Sequence, residues 1–119
     1  MIAHVVLFRP RPDLAGDDRR RLIDAWATAL RDIPSIRRAR IGRRIRIGRP
    51  YEALTRTEFP YAAILEFDNE DGLRAYLDHP AHEAVASRLF AAIEETAIYD
   101  LAMEASADAL QEQSSPGTR

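Results

Sequence analysis

The sequence contains no cysteine, no lysine and no long run of apolar residues. Without cysteine, the chain can form neither a disulfide framework nor a thiolate metal site, which leads us to expect a cytoplasmic protein. No stretch approaches the roughly 18 consecutive apolar residues of a membrane span, so we expect no membrane partner. The first residues also lack the basic region and the cleavage site of a signal peptide.

Several classes of functional site lack their sequence signals. There is no glycine-rich phosphate loop and no serine within a recognisable nucleophile motif. Aromatic residues do not alternate with the arginines, and the net charge of −2 gives no bulk attraction for nucleic acid. A metal site at His79 and His82 is disfavoured because Pro80 disturbs the spacing and no third ligand is fixed. We therefore expect no metal, no cofactor and no nucleic-acid partner.

The composition is that of one globular domain. The chain has 119 residues, of which 46% are hydrophobic and 30% are charged. We assign residues 1–104 to the domain and interpret the small, polar residues 105–119 as a disordered tail. All 17 basic residues are arginines, and seven lie between Arg37 and Arg49. We interpret this segment as a solvated strand face; an arginine at a cavity edge would instead suit an acidic substrate.

Apolar periodicity predicts the order β-α-β-β-α-β. The predicted strands cover residues 2–9, 36–48, 61–67 and 97–103. The expected N-caps are Asp17 or Asp18 for the first helix and Asp68 or Asn69 for the second. Pro80 is expected to break the second helix and to start a new one, because proline is tolerated in a first turn. Residues 49–59 are interpreted as a polar loop.

This order predicts an α+β fold of the ferredoxin-like type, with helices on one face of a four-stranded antiparallel sheet. Residues 2–9 are apolar on both faces, yet the helices can cover only one of them. The uncovered face needs a partner, and a second copy of the chain would supply it. We therefore expect a homodimer.

The segment from Tyr76 to His82 is the strongest candidate for a functional site. It holds two of the three histidines, His79 and His82, and imidazole exchanges protons readily near pH 7. The third, His4, lies on an otherwise apolar strand face that the helices should cover. A structural interpretation competes with the functional one, because His79 can cap the helix that begins at Pro80 and the others can be satisfied core residues.

Five motifs together resemble the Dabb, or stress-responsive α/β-barrel, domain family. They are His-Val-Val-Leu-Phe at 4–8, Ile33-Pro34, Glu66-Phe67, the Tyr-x-x-His-Pro-x-His block at 76–82 and Tyr99-Asp100. The resemblance runs from Met1 to Glu104. It implies a dimeric α+β barrel in which two sheets close face to face, with a pocket between helices and sheet.

The resemblance also implies a site and a reaction, because family members include a polyketide cyclase that needs no cofactor. His82 would be the catalytic base, Tyr76 a hydrogen-bond donor and His4 an auxiliary catalytic group. The expected substrate-binding residues are His79, Phe8, Trp26 and Leu89. The implied reaction is an aldol or enolisation step on a polyketide-like carbonyl compound.

Two alternatives stay open. One is a non-catalytic, stress-responsive protein that binds a small-molecule ligand in the same pocket. The other is a cofactor-free monooxygenase, by analogy of fold alone. The loop 49–59 and the arginine-rich strand depart from the family pattern, so the identity of the substrate does not follow from the resemblance.

Overall fold

The computed structural model of the chain describes residues 1–111. Its strands are β1 (Ile2–Pro10), β2 (Arg38–Arg43), β3 (Tyr61–Phe67) and β4 (Ile93–Ala102). Its helices are α1 (Gly16–Asp32), α2 (Glu70–Leu77) and α3 (Pro80–Ala92). Short 3₁₀ helices cover Pro50–Leu54 and Ala107–Leu110.

The four strands form one antiparallel sheet in the order β2-β3-β1-β4. This arrangement confirms the predicted ferredoxin-like α+β fold, including the break in the second helix. In the register of the sheet, His4 of β1 lies between Leu65 of β3 and Asp100 of β4. Directly opposed residues project to the same face of a sheet, so these three side chains share one face.

The core lies between this face and the helices. Phe67 and Leu65 from the sheet are fully buried there, and Trp26 of α1 and Leu89 of α3 pack into the same cluster. The opposite face of the sheet carries no helix, and its residues Tyr99 and Leu101 are exposed. The two faces of the sheet therefore differ in the way the sequence predicts, with apolar residues on both and helices on one.

Two predicted boundaries were wrong, one at the start of the first helix and the other at the end of the second strand. Helix α1 begins at Gly16, one residue before the expected caps, with Ala15 at the N-cap and Asp17 and Asp18 in the first turn. Carboxylates in the first turn interact favourably with the positive end of the helix dipole, although neither of them caps the helix. Strand β2 ends at Arg43 rather than Gly48, because its ladder partner β3 begins only at Tyr61.

Two more boundaries differ toward the end of the chain. Strand β4 begins at Ile93, directly after α3, whereas the pattern predicted a start at residue 97. The early start follows from pairing with the end of β1, where Arg9 donates a hydrogen bond from Nε to Glu94 at 2.8 Å. In the predicted tail, residues 107–110 form a 3₁₀ turn, and residues 112–119 lie outside the described part of the chain.

Candidate functional site

His4 is fixed by a side-chain hydrogen bond across the sheet. Its side chain is 5% exposed, and its Nδ1 lies 2.6 Å from Oδ1 of Asp100, its neighbour in the register of β4. A carboxylate accepts hydrogen bonds, so Nδ1 of His4 carries the proton in this contact. A carboxylate that holds one ring nitrogen fixes both the tautomer and the orientation of an imidazole.

Tyr76 lies next to His4 because α2 turns its buried side toward the sheet. Its ring is 1% exposed and packs edge-on against His4, with 5.6 Å between the ring centroids. Phe67 packs on the same ring at 5.3 Å. Burial raises the pKa of Tyr76 to about 12, because an apolar environment disfavours the phenolate. The phenol is therefore a neutral hydrogen-bond donor at physiological pH.

His82 owes its position to the turn between α2 and α3. The side chain of His79 caps α3, with Nδ1 accepting a hydrogen bond from the amide of Ala81 at 3.0 Å. Pro80 is the first residue of that helix. His82 then lies in the first turn, with its ring centroid 4.6 Å from that of Tyr76.

The protonation of His82 follows from its contacts. Its Nδ1 lies 3.1 Å from the carbonyl oxygen of Leu77, and a carbonyl can only accept, so Nδ1 carries the hydrogen. Nε2 is then the nitrogen with the free lone pair. Burial lowers the pKa of His82, and the bond to Leu77 partly offsets this effect. The lowered pKa favours the neutral imidazole, in which Nε2 is available as a base.

The four polar side chains line one cavity of about 280 Å³ between the sheet and the helices. Its polar lining residues are His4, Tyr76, His82 and Asp100. The rest of the wall is mainly apolar and includes Trp26, Leu89, Phe90 and Ile98. A small apolar cavity with a few convergent polar groups is the usual form of a small-molecule site.

Trp26 lines a second cavity as well. This cavity has a volume of about 490 Å³, lies beside α1, and is bounded by apolar side chains that include Phe8 and Leu22. The indole Nε1 of Trp26 is buried and has no hydrogen-bond partner within the described residues. An unpaired buried N–H costs about 1–3 kcal/mol.

The structure brings together most of the residues singled out from the sequence. His4, Tyr76, His82, Trp26 and Leu89 all line the smaller cavity. Phe8 lines the larger cavity, not the one with the histidines. His79 lies outside both linings, because its imidazole caps α3.

Sequence reasoning missed Asp100 as a functional residue. It is separated from His4 by 96 positions, so only the sheet register brings the two together. The one available signal was the Tyr99-Asp100 pair among the family-like motifs.

Two classes of site find no support in the described part of the chain. Residues 1–111 contain no group of three or more histidine or acidic side chains arranged to hold a metal ion. No helix within the same residues is long and apolar enough to cross a membrane.

The fold and the site define a class of protein: a ferredoxin-like α+β domain with a His/Tyr cavity beneath its helices. The family model described as "Stress responsive A/B Barrel Domain", or Dabb, matches residues 2–103. The chain belongs to this family. No curated protein matches it.

Solved structures share the fold at low sequence identity. A dimeric ferredoxin-like protein of unknown function from Thermobifida fusca is 25% identical, with a TM-score of 0.67 over 86% of this chain and 90% of that one. A dimeric protein of unknown function and ferredoxin-like fold from Bacteroides fragilis is also 25% identical, with a TM-score of 0.61 over 86% and 95%. The hydroxynitrile lyase from Passiflora edulis is 16% identical, with a TM-score of 0.73 over 88% and 94%.

Proposed function

We propose that this chain is a homodimeric small-molecule enzyme that performs cofactor-independent acid–base chemistry on a carbonyl compound. The observation that supports this most is the convergence of His4, Tyr76 and His82 on one cavity. A neutral base, a neutral donor and an oriented imidazole are the groups that enolisation or aldol chemistry needs. The proposed class is a cyclase or lyase, and the proposed substrate is polyketide-like.

His82 and Tyr76 have complementary roles in this reaction. Nε2 of His82 takes a proton from the carbon next to a carbonyl, and the C–H electrons form the enolate double bond. Tyr76 donates its O–H to the enolate oxygen, where negative charge develops. The enolate carbon then attacks a second carbonyl of the same substrate, and the protonated His82 returns its proton to the new alkoxide.

His4 acts as an auxiliary group in the proposed site. Because Asp100 accepts from its Nδ1, Nε2 of His4 is the nitrogen left to bind substrate. The carboxylate of Asp100 also stabilises any positive charge that the imidazole gains when it accepts a proton. Asp100 is thus a positioning residue, and it does not itself touch the substrate in this account.

The lining of the cavity suggests the substrate class. The cavity combines a few polar groups with a wall that is otherwise apolar. A largely apolar molecule with a few carbonyl or hydroxyl oxygens satisfies both features. Leu89 and Trp26 would contact its apolar part, as expected from the sequence.

The homodimer is proposed from the uncovered sheet face. Apolar side chains there include Ile64, Tyr99 and Leu101, whose exposures are 40%, 59% and 45%. Exposed apolar surface of this kind marks an interaction site. Two of the solved structures with this fold, from Thermobifida fusca and Bacteroides fragilis, are described as dimeric.

A non-catalytic ligand-binding protein is the second candidate. The mainly apolar wall of the cavity supports it, because such a wall can hold a small molecule whether or not a reaction follows. Proton abstraction separates the two candidates, since a binding protein does not catalyse it.

The test measures exchange of α-protons with D₂O by NMR, for a panel of methyl ketones, β-diketones and β-keto thioesters. Exchange reports the first chemical step directly and requires no knowledge of the final product. We expect faster exchange of at least one compound with the protein than in buffer. His82→Ala should reduce that exchange about 10²–10⁴-fold, the usual contribution of a general base.

The matched control is His79→Asn, which alters the other histidine of the same block and keeps a side chain that can cap α3. This variant should exchange protons at the wild-type rate. Unchanged exchange in His82→Ala would refute the catalytic role. Binding of panel compounds by the wild-type protein without any exchange would favour the second candidate.

A further inference from the structure

The larger of the two cavities that Trp26 lines is a groove between α1 and the β2 side of the sheet. Its helix wall is a stripe of side chains at helical spacing, namely Arg19, Ile23, Ala27 and Leu30. Its sheet wall holds Ile41 of β2 and the rings of Phe8 and Tyr61, whose centroids are 5.7 Å apart. Although α1 packs against α3, no described residue of α2 or α3 lines the groove, so no second helix closes it.

The groove has a buried floor and two exposed apolar rims. Phe8, Leu22 and Trp26 lie at its floor and are buried. Ile23 on the helix rim and Ile41 on the strand rim are each 45% exposed. A ligand that lies between the rims would remove both isoleucines from water, and the burial of apolar surface is favourable. The volume of about 490 Å³ is typical of a small-molecule site.

Arg19 is the only charged side chain among the described residues that line the groove. The next two arginines of α1 are engaged elsewhere, because Arg20 pairs with Asp24 at 3.7 Å and Arg21 pairs with Asp18 at 3.0 Å. No described carboxylate forms such a pair with Arg19. The groove therefore combines an apolar length with one available cation at the start of its helix wall.

We propose that this groove is a second ligand site, which binds one molecule of a medium-chain amphipathic carboxylate from solution. The alkyl chain lies along α1 between Ile23 and Ile41, and the guanidinium of Arg19 binds the carboxylate. From Arg19 to Leu30 the helix rises about 16 Å, which suits an extended chain better than a single ring. The inference requires neither the proposed reaction nor the proposed homodimer.

The single tryptophan of the sequence gives a direct test of this site. Trp26 lines the groove, so its fluorescence should change when a ligand enters. The full chain is titrated at pH 8 with hexanoate, octanoate, decanoate and dodecanoate, each below its micelle-forming concentration. We expect the affinity to rise up to about fourfold for each added methylene, which corresponds to about 0.8 kcal/mol.

The role of Arg19 is tested with an acid and an alcohol of equal chain length. Arg19→Gln should weaken the binding of decanoate about two- to fivefold, the usual contribution of an exposed ion pair. It should leave the binding of 1-decanol unchanged, because an alcohol carries no charge. The matched control is Arg20→Gln, which removes the same charge from outside the groove and should bind both compounds as the wild-type protein does.

A second pair of variants locates the ligand, because Trp26 lines the His/Tyr cavity as well. Ala27 lines only the groove, whereas Ala86 lines only the His/Tyr cavity. Ala27→Leu narrows the groove at an exposed helix position and should weaken the binding of decanoate. Ala86→Leu should not weaken it. Circular dichroism checks that both variants are folded, and sedimentation compares their assembly without ligand.

The possible outcomes are distinct. Binding that strengthens with chain length and weakens in Arg19→Gln and Ala27→Leu supports the site. Weakening in Ala86→Leu instead of Ala27→Leu would place the ligand in the His/Tyr cavity and overturn the proposal. Equal effects of Arg19→Gln on acid and alcohol would overturn the role of Arg19. The proposal also fails if no compound changes the fluorescence, or if Ala27→Leu alters sedimentation, which would make the groove a contact between copies of the chain.

Discussion

His82 experiences two environmental effects that shift its pKa in opposite directions. Burial lowers the pKa, while the carbonyl of Leu77 raises it by accepting from Nδ1, and burial is the larger effect. Tyr76 responds to the same burial with a pKa raised to about 12. One apolar environment thus favours the neutral imidazole and the protonated phenol, which are the states that the proposed reaction needs.

The lowered pKa of His82 predicts how stability depends on pH. Below about pH 6.5 the unfolded chain binds a proton at this histidine more readily than the folded chain does. The free energy of unfolding should therefore fall as the pH drops below that value, and this contribution should be absent above it. Urea denaturation between pH 4.5 and 8 measures the effect.

The control for this prediction is His82→Gln, which cannot titrate. Its free energy of unfolding should depend less on pH in the same interval than that of the wild-type protein. An equal pH dependence of the free energy of unfolding in the two proteins would show that folding does not lower the pKa of His82.

At the residue scale, side-chain chemistry pointed to the segment from Tyr76 to His82, since few side chains serve proton transfer near neutral pH, and the family resemblance implied the roles of His4, Tyr76 and His82. Sequence reasoning could not find Asp100, because a carboxylate 96 positions from its partner has no local signature. It could not tell which cavity Phe8 lines, because its parity is correct for the core but its position along β1 takes it to the other cavity. The parity of a strand residue determines the face of the sheet from which its side chain projects. The helix that packs over that residue determines which cavity the side chain lines.

The turn between α2 and α3 is the element on which the site depends. His79 caps α3 through Nδ1, and Pro80 supplies a first residue whose missing N–H costs nothing. Removal of the cap with His79→Ala should cost about 0.5–2 kcal/mol of the free energy of unfolding. His79→Asn should retain most of it, and chemical denaturation of the two variants measures the difference.

That pair of variants also separates a structural from a functional role for His79. The capping account predicts that His79→Asn binds ligands as the wild-type protein does. Weaker binding in this stably folded variant would show that His79 contacts the ligand after all.

Strand ends were the least predictable elements. The pattern at 36–48 alternates throughout, but β2 stops at Arg43 because β3 begins after Pro60, which has no amide to donate to a ladder. Alternation of apolar and polar residues predicts which side chains share a face. A strand also requires a neighbouring strand with which its backbone can form hydrogen bonds.

At the scale of the whole molecule, the order of elements sufficed to predict the sheet. Four apolar strands separated by two helical patterns fit few folds, and short connections reduce the choice further. The same reasoning predicted an uncovered face, because the helices form a single layer on one side of the sheet.

The protonation state of His82 in the folded protein tests the central claim most directly. Long-range ¹H–¹⁵N correlation spectra at pH 7 distinguish the two neutral tautomers and the imidazolium, and His79→Asn helps to assign the three histidines. The account predicts a neutral His82 with its hydrogen on Nδ1 and an unprotonated Nε2. A spectrum with the hydrogen on Nε2, or with both nitrogens protonated, would contradict its role as the base.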